Sequence, residues 1–213
     1  MGYKHTQADI LEGAVAAAFD DGLSRLTFGR VATRLGTSDR IVVYYFPSKD
    51  DLIGAVLVAV GIRLQETLAP TLTAPAADHL ALVRAAWPIL ARPDADPIFA
   101  LFFEALGLAA SGREPYRSLV PALVTGWIDW SSGYITGNAA RRLSEAEAAI
   151  AVLDGLLLLR QLAGPESADR AARQLGVIAP GSGRSAQRVA RQRTPSAGGS
   201  PEPPPRSRRR SGG

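Results

Sequence analysis

The stretch LTFGRVATRLGTSDRIVVYYFPSKDDL, from Leu26 to Leu52, carries the strongest local structure signals in the chain. Apolar residues from Phe28 to Leu35 recur at i, i+3, i+4 and i+7, the spacing of one helix face. Thr27 stands at the N-cap position of this helix, and Gly36 stands at the left-handed position that follows it. A second helix begins almost at once, after Ser38. The stretch therefore predicts two short helices joined by a tight turn.

The second helix is predicted to have one buried and one exposed side. Val42 and Phe46 are four residues apart, so both can pack on the preceding helix. The exposed surface then consists of four side chains, Arg40, Ile41, Val43 and Tyr44. Two helices in this arrangement are typical of a helix-turn-helix, whose second helix enters the major groove of DNA.

A third helix follows the second directly. Pro47 ends the second helix, and Ser48 with Asp51 forms the capping-box pattern of the next. The apolar periodicity continues to about Leu68, before Ala69-Pro70. We expect this helix to link the reading unit to the rest of the chain, so that movement of the helix moves the reader.

The residues around this unit carry a family resemblance. They are Ile10-Leu11, Ala14, Phe19 and Gly22, then Thr27-Phe28 and Val31-Ala32, then Leu35-Gly36-Thr37-Ser38, and finally the run from Tyr45 to Leu52. From about Ile10 to Ile53 the chain resembles the DNA-binding domain of TetR-family transcriptional regulators. One position departs from that pattern, because Val43 stands where the family usually has an aromatic residue. The resemblance implies an all-α fold, a homodimer, and a helical C-terminal domain for ligand binding and dimerisation.

Candidate DNA contacts lie on and beside the second helix. Arg40 is the candidate for a bidentate contact with a guanine edge, and a phosphate contact is its alternative. Ile41 could meet a thymine methyl group or pack at the helix edge. Tyr44 and Tyr45 could reach phosphates or bases, with core packing as the alternative for Tyr45. The remaining candidates, which could also serve as helix caps or helix-start charges, are Thr27, Ser38, Asp39 and Lys49.

The positive net charge of +4 comes from the C-terminal tail. From Pro180 onward there are eight Arg and one acidic residue, and residues 1–179 therefore carry a net −3. DNA binding depends on local cations rather than on the total charge. The cations available in or beside the reading unit are Arg25, Arg30, Arg34, Arg40 and Lys49.

Helical periodicity continues through the body of the chain, and about nine helices are predicted in all. Beyond residue 68 they span residues 78–92, 96–110, 114–135, 144–163 and 166–175. A kink or a break is predicted at Pro88, and Pro121 is again internal to a helix. Ser144 and Glu147 form a capping box at the start of the fourth of these helices. We predict a helix-turn-helix DNA-binding domain at 1–50 with the reading unit at 27–46, and a helical regulatory and dimerisation domain at 51–179. Residues 180–213, rich in Arg, Pro, Gly and Ser, are predicted to be a disordered tail whose arginines could touch DNA phosphates.

One helix of the body is apolar on every side. Leu156 to Leu159 cover the full circumference of a helix, which predicts burial all round. Packing against a second copy would achieve this, and the resemblance implies a four-helix dimer interface with the final helix. The candidate interface residues are Leu153, Leu156, Leu157, Leu159 and Arg160. The alternative is an ordinary central helix.

Aromatic residues concentrate in three successive body helices, which suggests an apolar ligand pocket. The candidate ligand-binding residues are Trp87, Phe99, Phe103, Trp127 and Trp130. Glu104, Asp129 and Arg84 could supply the polar groups of such a pocket. The alternative is that these aromatic rings only fill the core.

Catalysis, metal binding and membrane insertion have little support in the sequence. Cysteine is absent, and neither His5 nor His79 lies in a metal-binding motif. By its composition the stretch Ile150 to Leu162 is expected to be the most apolar, and it is too short and too charged to span a bilayer. The sequence therefore predicts a cytoplasmic, non-enzymatic regulator without cofactor: a ligand-responsive repressor that binds a palindromic operator as a homodimer and is released by a small apolar or aromatic effector. The alternative is a helical small-molecule-binding or structural dimer without sequence-specific DNA recognition.

Overall fold

Nine α-helices and two 3₁₀ turns make up residues 5–179, the part of the chain that the computed structural model describes. The helices are α1 (Gln7–Asp21), α2 (Phe28–Leu35), α3 (Asp39–Tyr45), α4 (Lys49–Leu68), α5 (His79–Leu90), α6 (Asp96–Ala110), α7 (Tyr116–Ser132), α8 (Ala139–Ala163) and α9 (Pro165–Gln174). The 3₁₀ turns are Leu23–Arg25 and Ala69–Thr71. The predicted all-α fold and the number of helices are confirmed.

The predicted start of one body helix was wrong. Helix α8 begins at Ala139, because the Asn138 side chain accepts a hydrogen bond from the Arg141 N–H at 2.9 Å. The Ser144 hydroxyl, predicted to cap this helix, instead donates to the Arg141 carbonyl inside it. Helices α5 and α7 also continue through Pro88 and Pro121. A proline removes one hydrogen bond from a helix, and the tertiary packing of these two helices outweighs that loss.

Two hydrophobic clusters hold the helices together. The first joins α1 to α4 with Leu101 and Ala105 of α6 and with Tyr116 and Val120 of α7. The second joins the C-terminal part of α4 to α5, α6, α8 and α9. The reading unit is therefore packed directly against the body helices, and the described residues up to Ile178 form one compact unit. The division at residue 50 stays a prediction, and the predicted disordered tail at 180–213 lies outside the described residues.

Helix α4 contributes to both clusters. Leu52, Ile53 and Val56 pack in the first, and Leu64 and Leu68 pack in the second. With the turn that follows, Lys49–Thr71 is long and apolar enough to cross a membrane by length and composition alone. The apolar character of this segment was not predicted from the sequence, where a shorter stretch of α8 was expected to be the most apolar. Core packing at both ends accounts for the composition of α4.

A bidentate ion pair ties α8 to the start of α6. The Arg160 guanidinium donates to the Asp96 carboxylate through Nε at 2.5 Å and Nη2 at 2.9 Å. The two side chains differ in exposure, at 7% for Arg160 and 38% for Asp96. Asp96 is also the first residue of α6, where the helix dipole favours a negative charge. Removing Asp96 and removing Arg160 should therefore lower the free energy of unfolding by different amounts.

We expect Asp96→Ala to lower the free energy of unfolding by about 3 kcal/mol, because it leaves a buried guanidinium without its counter-ion. Arg160→Met should cost about 1 kcal/mol or less, because the remaining carboxylate reaches water and lies in the first turn of a helix, where the helix dipole favours its charge. Urea unfolding of the two variants at neutral pH measures the difference. Equal losses, or the reverse order, would contradict this reading of the pair.

Candidate DNA-reading surface and ligand cavity

The turn between α2 and α3 has the geometry that the sequence predicts. The Thr27 hydroxyl accepts a hydrogen bond from the Arg30 N–H at 3.3 Å and caps α2. Gly36 ends α2 with φ 61° and ψ 38°, a left-handed conformation that residues other than glycine rarely adopt. The Thr37 N–H then bonds to the Ala32 carbonyl at 2.9 Å and closes the turn. These contacts fix the direction in which α3 leaves α2.

Helix α3 separates its buried and exposed side chains as predicted. Val42 and Phe46 lie in the first core cluster. Arg40 and Val43 are exposed, and Tyr44 is 63% exposed. Ile41 is half-buried at the edge of the same cluster. The helix thus presents a guanidinium, a phenol and an aliphatic side chain on one outer surface.

The two tyrosines of α3 occupy different environments. Tyr45 is half-buried, and its hydroxyl donates to the His5 carbonyl at 3.1 Å. Its ring packs edge-on against Tyr44, with 5.0 Å between ring centroids. Tyr45 therefore supports the position of Tyr44 and anchors the residue just before α1, whereas Tyr44 has the exposure that a direct DNA contact needs.

The four remaining candidates for DNA contact lie at helix starts. Ser38 is at the N-cap position of α3, but its hydroxyl makes no capping hydrogen bond. This differs from the predicted cap and leaves Ser38 to another role. Thr27 is exposed while capping α2, and Lys49 is exposed in the first turn of α4. Asp39 is exposed in the first turn of α3. Its carboxylate lies near Gly29 of α2, because a Cβ atom built on Gly29 would be 3.5 Å from Asp39 Oδ2.

Two of the five cations around the reading unit are paired with carboxylates. Arg30 contacts Asp21 and Arg34 contacts Asp20, each at 2.5 Å, through side chains that are largely solvent-exposed. Within residues 5–179, Arg25, Arg40 and Lys49 make no ion pair. The local positive charge is therefore smaller than the sequence indicates, and the unpaired cations lie in the Leu23–Arg25 turn, on α3 and at the start of α4.

A cavity of about 110 Å³ lies among helices α4 to α8. Three of the five aromatic residues predicted to bind a ligand line it, and these are Phe99, Trp127 and Trp130. The two indole rings pack edge-on, with 5.4 Å between centroids. Trp87 is buried in the second core cluster, and Phe103 packs on Phe102; neither lines the cavity. Phe102, which was not among the candidates, does line it.

The polar groups predicted for the pocket lie elsewhere. Arg84 donates through Nε to the Gly176 carbonyl at 2.7 Å, and Asp129 is exposed. Besides apolar side chains, the cavity is lined by Ser131 and Asp154. The sequence did hold a signal for Asp154, because it is an acidic residue within the most apolar part of α8. Burial raises the pKa of the Asp154 carboxyl to about 6.

Glu104 of α6 instead connects the body to the DNA-reading unit. Its carboxylate accepts hydrogen bonds from the Leu23 N–H and the Ser24 N–H, both at 2.9 Å, and from the Ser24 hydroxyl at 2.5 Å. A Cβ on Gly22, whose φ is +85°, would lie 2.9 Å from Glu104 Oε2, so glycine permits this approach. Burial alone would raise the pKa of Glu104, but these hydrogen bonds outweigh it and leave the pKa below its ordinary value. We call this contact the Glu104 clamp.

The predicted dimer-interface residues lie mostly inside the protomer. Leu153, Leu156, Leu157 and Arg160 are buried, and Leu159 is half-buried. In the single chain Leu158 is 41% and Leu162 is 79% exposed, so the predicted burial of this helix on every side would require a second copy. The exposed apolar surface of α8 is therefore formed by different residues from those predicted.

Comparisons with known proteins identify the class of the DNA-reading unit. Residues 10–56 match the family model of bacterial regulatory proteins, tetR family. A search of curated protein sequences gave no match. This match confirms the TetR-family resemblance that the sequence carries from about Ile10 to Ile53.

The whole fold is shared with solved transcriptional regulators. A regulator from Rhodococcus sp. Rha1 is 20% identical, with 82% of this chain and 96% of that chain covered and a TM-score of 0.63. A TetR regulator from Legionella pneumophila is 22% identical, with coverage of 82% and 97% and a TM-score of 0.59. The multidrug binding protein EbrR, solved with proflavin, is 25% identical, with coverage of 81% and 99% and a TM-score of 0.59. Together with the family match, this shared fold supports DNA-binding transcriptional regulation.

Proposed function

We propose that this protein is a ligand-responsive transcriptional repressor, which binds a palindromic operator as a homodimer and is released by a small apolar or aromatic effector. The observation that carries the proposal is the arrangement of α3 within the family-matched segment. Val42 and Phe46 fix the helix to the core, while Arg40 and Tyr44 stand on its outer surface. The same outer surface would enter the major groove and read base edges. The expected location is the cytoplasm, where the operator is accessible.

The proposed dimer forms through α8. Leu158 and Leu162 are four residues apart, so they lie on one face of the helix, and both are exposed in the single chain. A two-fold axis beside this face would cover the same two leucines in each protomer. It would also allow two copies of α3 to enter successive major grooves about 34 Å apart.

The proposed effector site is the cavity among helices α4 to α8. EbrR, which shares this fold, is bound to proflavin in its solved structure. Helix α4 lines the cavity with Leu57, Val60 and Leu64, and it begins beside α3 at Lys49. Helix α6 lines the cavity with Phe99 and also carries the Glu104 clamp. A ligand that separates these helices has two direct routes to the reading unit.

Effector release of DNA follows from linkage. A ligand lowers operator affinity only if it binds the DNA-free conformation more tightly than the DNA-bound one. The cavity is smaller than the roughly 300–1,000 Å³ of most small-molecule sites. Any larger effector must therefore move the surrounding helices, which is the differential interaction that the mechanism needs.

The Glu104 clamp should contribute measurably to stability. We expect Glu104→Ala to lower the free energy of unfolding by about 1–2 kcal/mol, since two backbone N–H groups lose their acceptor at a partly exposed site. Amide exchange at Leu23 and Ser24 should become faster. Glu114→Ala is the matched control, because that exposed carboxylate bonds only locally, to Ser118 and Arg117. Unchanged exchange in Glu104→Ala would show that the clamp does not hold the turn.

The pH dependence of the Glu104 contribution has a definite sign. Because the folded-state pKa of Glu104 is lowered, the stabilisation is present above the ordinary pKa of 4.5 and is lost as the pH falls through the lowered value. Wild type and Glu104→Gln should therefore converge in stability at acidic pH. Thermal melts between pH 3 and pH 7 test this, and a constant difference would contradict it.

A second candidate function is a small-molecule-binding or structural dimer without sequence-specific DNA recognition. The ion pairs of Arg30 and Arg34 favour it, because they reduce the positive charge next to α3. The presence of Val43 in place of the usual aromatic residue favours it as well. Neither observation removes Arg40 or Tyr44 from the exposed surface of α3.

Selection of DNA from a random duplex library by the full-length protein distinguishes the two functions. A repressor of this kind should enrich an inverted repeat whose half-site centres are about 10 base pairs, or a multiple, apart. The same selection with Arg40→Ala is the matched control, and it should lose preference at one base of each half-site. Enrichment of DNA without a shared sequence would support the second candidate.

A further inference from the structure

The cavity contains one acidic side chain whose environment is unusual for this protein. Asp154 lies on α8 between Leu153 and Leu157, and all three line the cavity. Within residues 5–179, Asp154 makes no hydrogen bond and no ion pair. Three other partly buried carboxylates do have partners: Glu104 in the turn after α1, Asp96 in Arg160, and Glu145 in His79.

An unpaired carboxylate in an apolar pocket is costly for the folded protein. Taking an ionised carboxylate out of water without a partner is unfavourable, and the group responds with a raised pKa. Asp154 shows this response, because burial alone moves its pKa from 3.8 to about 6. At neutral pH the carboxylate is still mostly ionised, so the cavity offers an uncompensated negative charge.

The aromatic rings of the cavity suit the same ligand charge. Trp127 and Trp130 line the cavity together with Asp154. Indole faces attract organic cations, and they do so more strongly where water is excluded. Ser131, the other polar lining residue, is an uncharged hydroxyl and does not compete for the role of counter-ion. A carboxylate and two indoles around one apolar space select a positively charged organic molecule over a neutral or negative one.

We propose that the cavity binds a small monocationic aromatic or aliphatic amine, with its ammonium group paired with Asp154 and its apolar part against Trp127 and Trp130. The inference rests on the proposed function, because it names the chemical class of the effector. The size of the cavity agrees with such a ligand. At about 110 Å³ it approaches the roughly 150 Å³ of an engineered cavity that holds benzene.

Three compounds of similar size and different charge test the proposal. Benzylamine is a cation at pH 7.5, benzyl alcohol is neutral, and benzoate is an anion. Binding to the full-length protein can be followed by calorimetry and by tryptophan fluorescence. We expect benzylamine to bind about tenfold or more tightly than benzyl alcohol, and benzoate to bind least. Equal affinities for the cation and the alcohol, or no binding of benzylamine at millimolar concentration, would overturn the proposal.

Asp154→Asn provides the residue-specific test. It keeps the shape of the side chain and removes the charge, so the preference for benzylamine over benzyl alcohol should disappear. Asp129→Asn is the matched control, because Asp129 is exposed on α7 and does not line the cavity. It should keep the preference. A preference that survives in Asp154→Asn would overturn the assignment.

Stability shows that the Asp154 variant is folded. The folded protein retains the Asp154 proton between about pH 4 and pH 6 where the unfolded chain has released it, so wild-type stability falls as the pH rises through this range. Asp154→Asn should therefore melt above the wild type at pH 7.5 and close to it near pH 4. If it melts lower at pH 7.5, the carboxylate is not an unpaired buried charge, and the proposal fails.

The test separates this inference from the proposed function. Operator binding is measured separately, with the wild-type protein and without added ligand. Specific DNA binding without a preference for the cation would reject the cation site alone. A cation preference without specific DNA binding would reject the repressor alone.

Discussion

Leu162→Glu is expected to convert the dimer into a monomer and to lower operator affinity on the order of 10²–10⁴-fold. In the single chain the Leu162 side chain is 79% exposed, so a charge there costs the protomer little. In the proposed dimer the same position lies against its own copy, and two carboxylates would be buried close together. Each protomer would then hold one half-site alone and lose the advantage of joint binding.

Sedimentation and DNA titration of this variant measure the two effects separately. The wild type should sediment at about twice the 22.5 kDa of the chain, and Leu162→Glu should sediment as a single chain. Ile62→Glu is the matched control, since Ile62 is also an exposed apolar residue but lies on α4. A variant that remains dimeric and keeps its operator affinity would place the interface on another surface.

Arg40→Ala is expected to cost about 2–6 kcal/mol of operator binding for the dimer, because a bidentate base contact worth about 1–3 kcal/mol is lost in each protomer. The loss should be confined to the true operator, with relaxed preference at one base in each half-site. Lys49→Ala should instead weaken binding to every sequence and reduce the salt dependence. Helix geometry supports this difference, since Arg40 lies within the exposed face of α3 and Lys49 lies at the start of α4.

Competition binding with single-base variants of the operator separates the two roles. Arg63→Ala is a suitable control, because Arg63 is paired with Glu12 and lies away from α3 on α4. Uniform weakening by Arg40→Ala across all sequences would make Arg40 a phosphate contact. Unchanged affinity would remove it from the interface.

Local signals explain why the reading unit could be predicted closely. Thr27 and Gly36 act on the backbone within three or four residues of themselves, so their effects can be read without knowing the tertiary structure. The position of Val42 and Phe46 on one buried side of α3, away from its exposed side chains, is likewise a property of a single helix. Ser38 was the exception, because its position before α3 could be predicted but the orientation of its hydroxyl could not.

Features that depend on contacts between helices could not be predicted in the same way. Four consecutive leucines from 156 to 159 are equivalent in the sequence, and only the packing of α5, α6, α7 and α9 leaves Leu158 outside. Glu104 and Asp154 are both single acids in apolar helices. Glu104 accepts hydrogen bonds from a turn 80 residues earlier in the chain, whereas Asp154 lines the cavity. No local sequence pattern distinguishes the two acids.

The exposed side chains of α3, rather than the basic C-terminal tail, are proposed to give this protein its sequence-specific DNA binding. Titration of the full-length protein onto DNA from the upstream region of its own gene, and onto a shuffled duplex, tests it most directly over a series of salt concentrations. Non-specific phosphate contacts weaken steeply with salt for both duplexes. We predict that the upstream DNA binds at least about 10³-fold more tightly than the shuffled duplex at physiological salt. Equal affinity for the two duplexes at every salt concentration would contradict it.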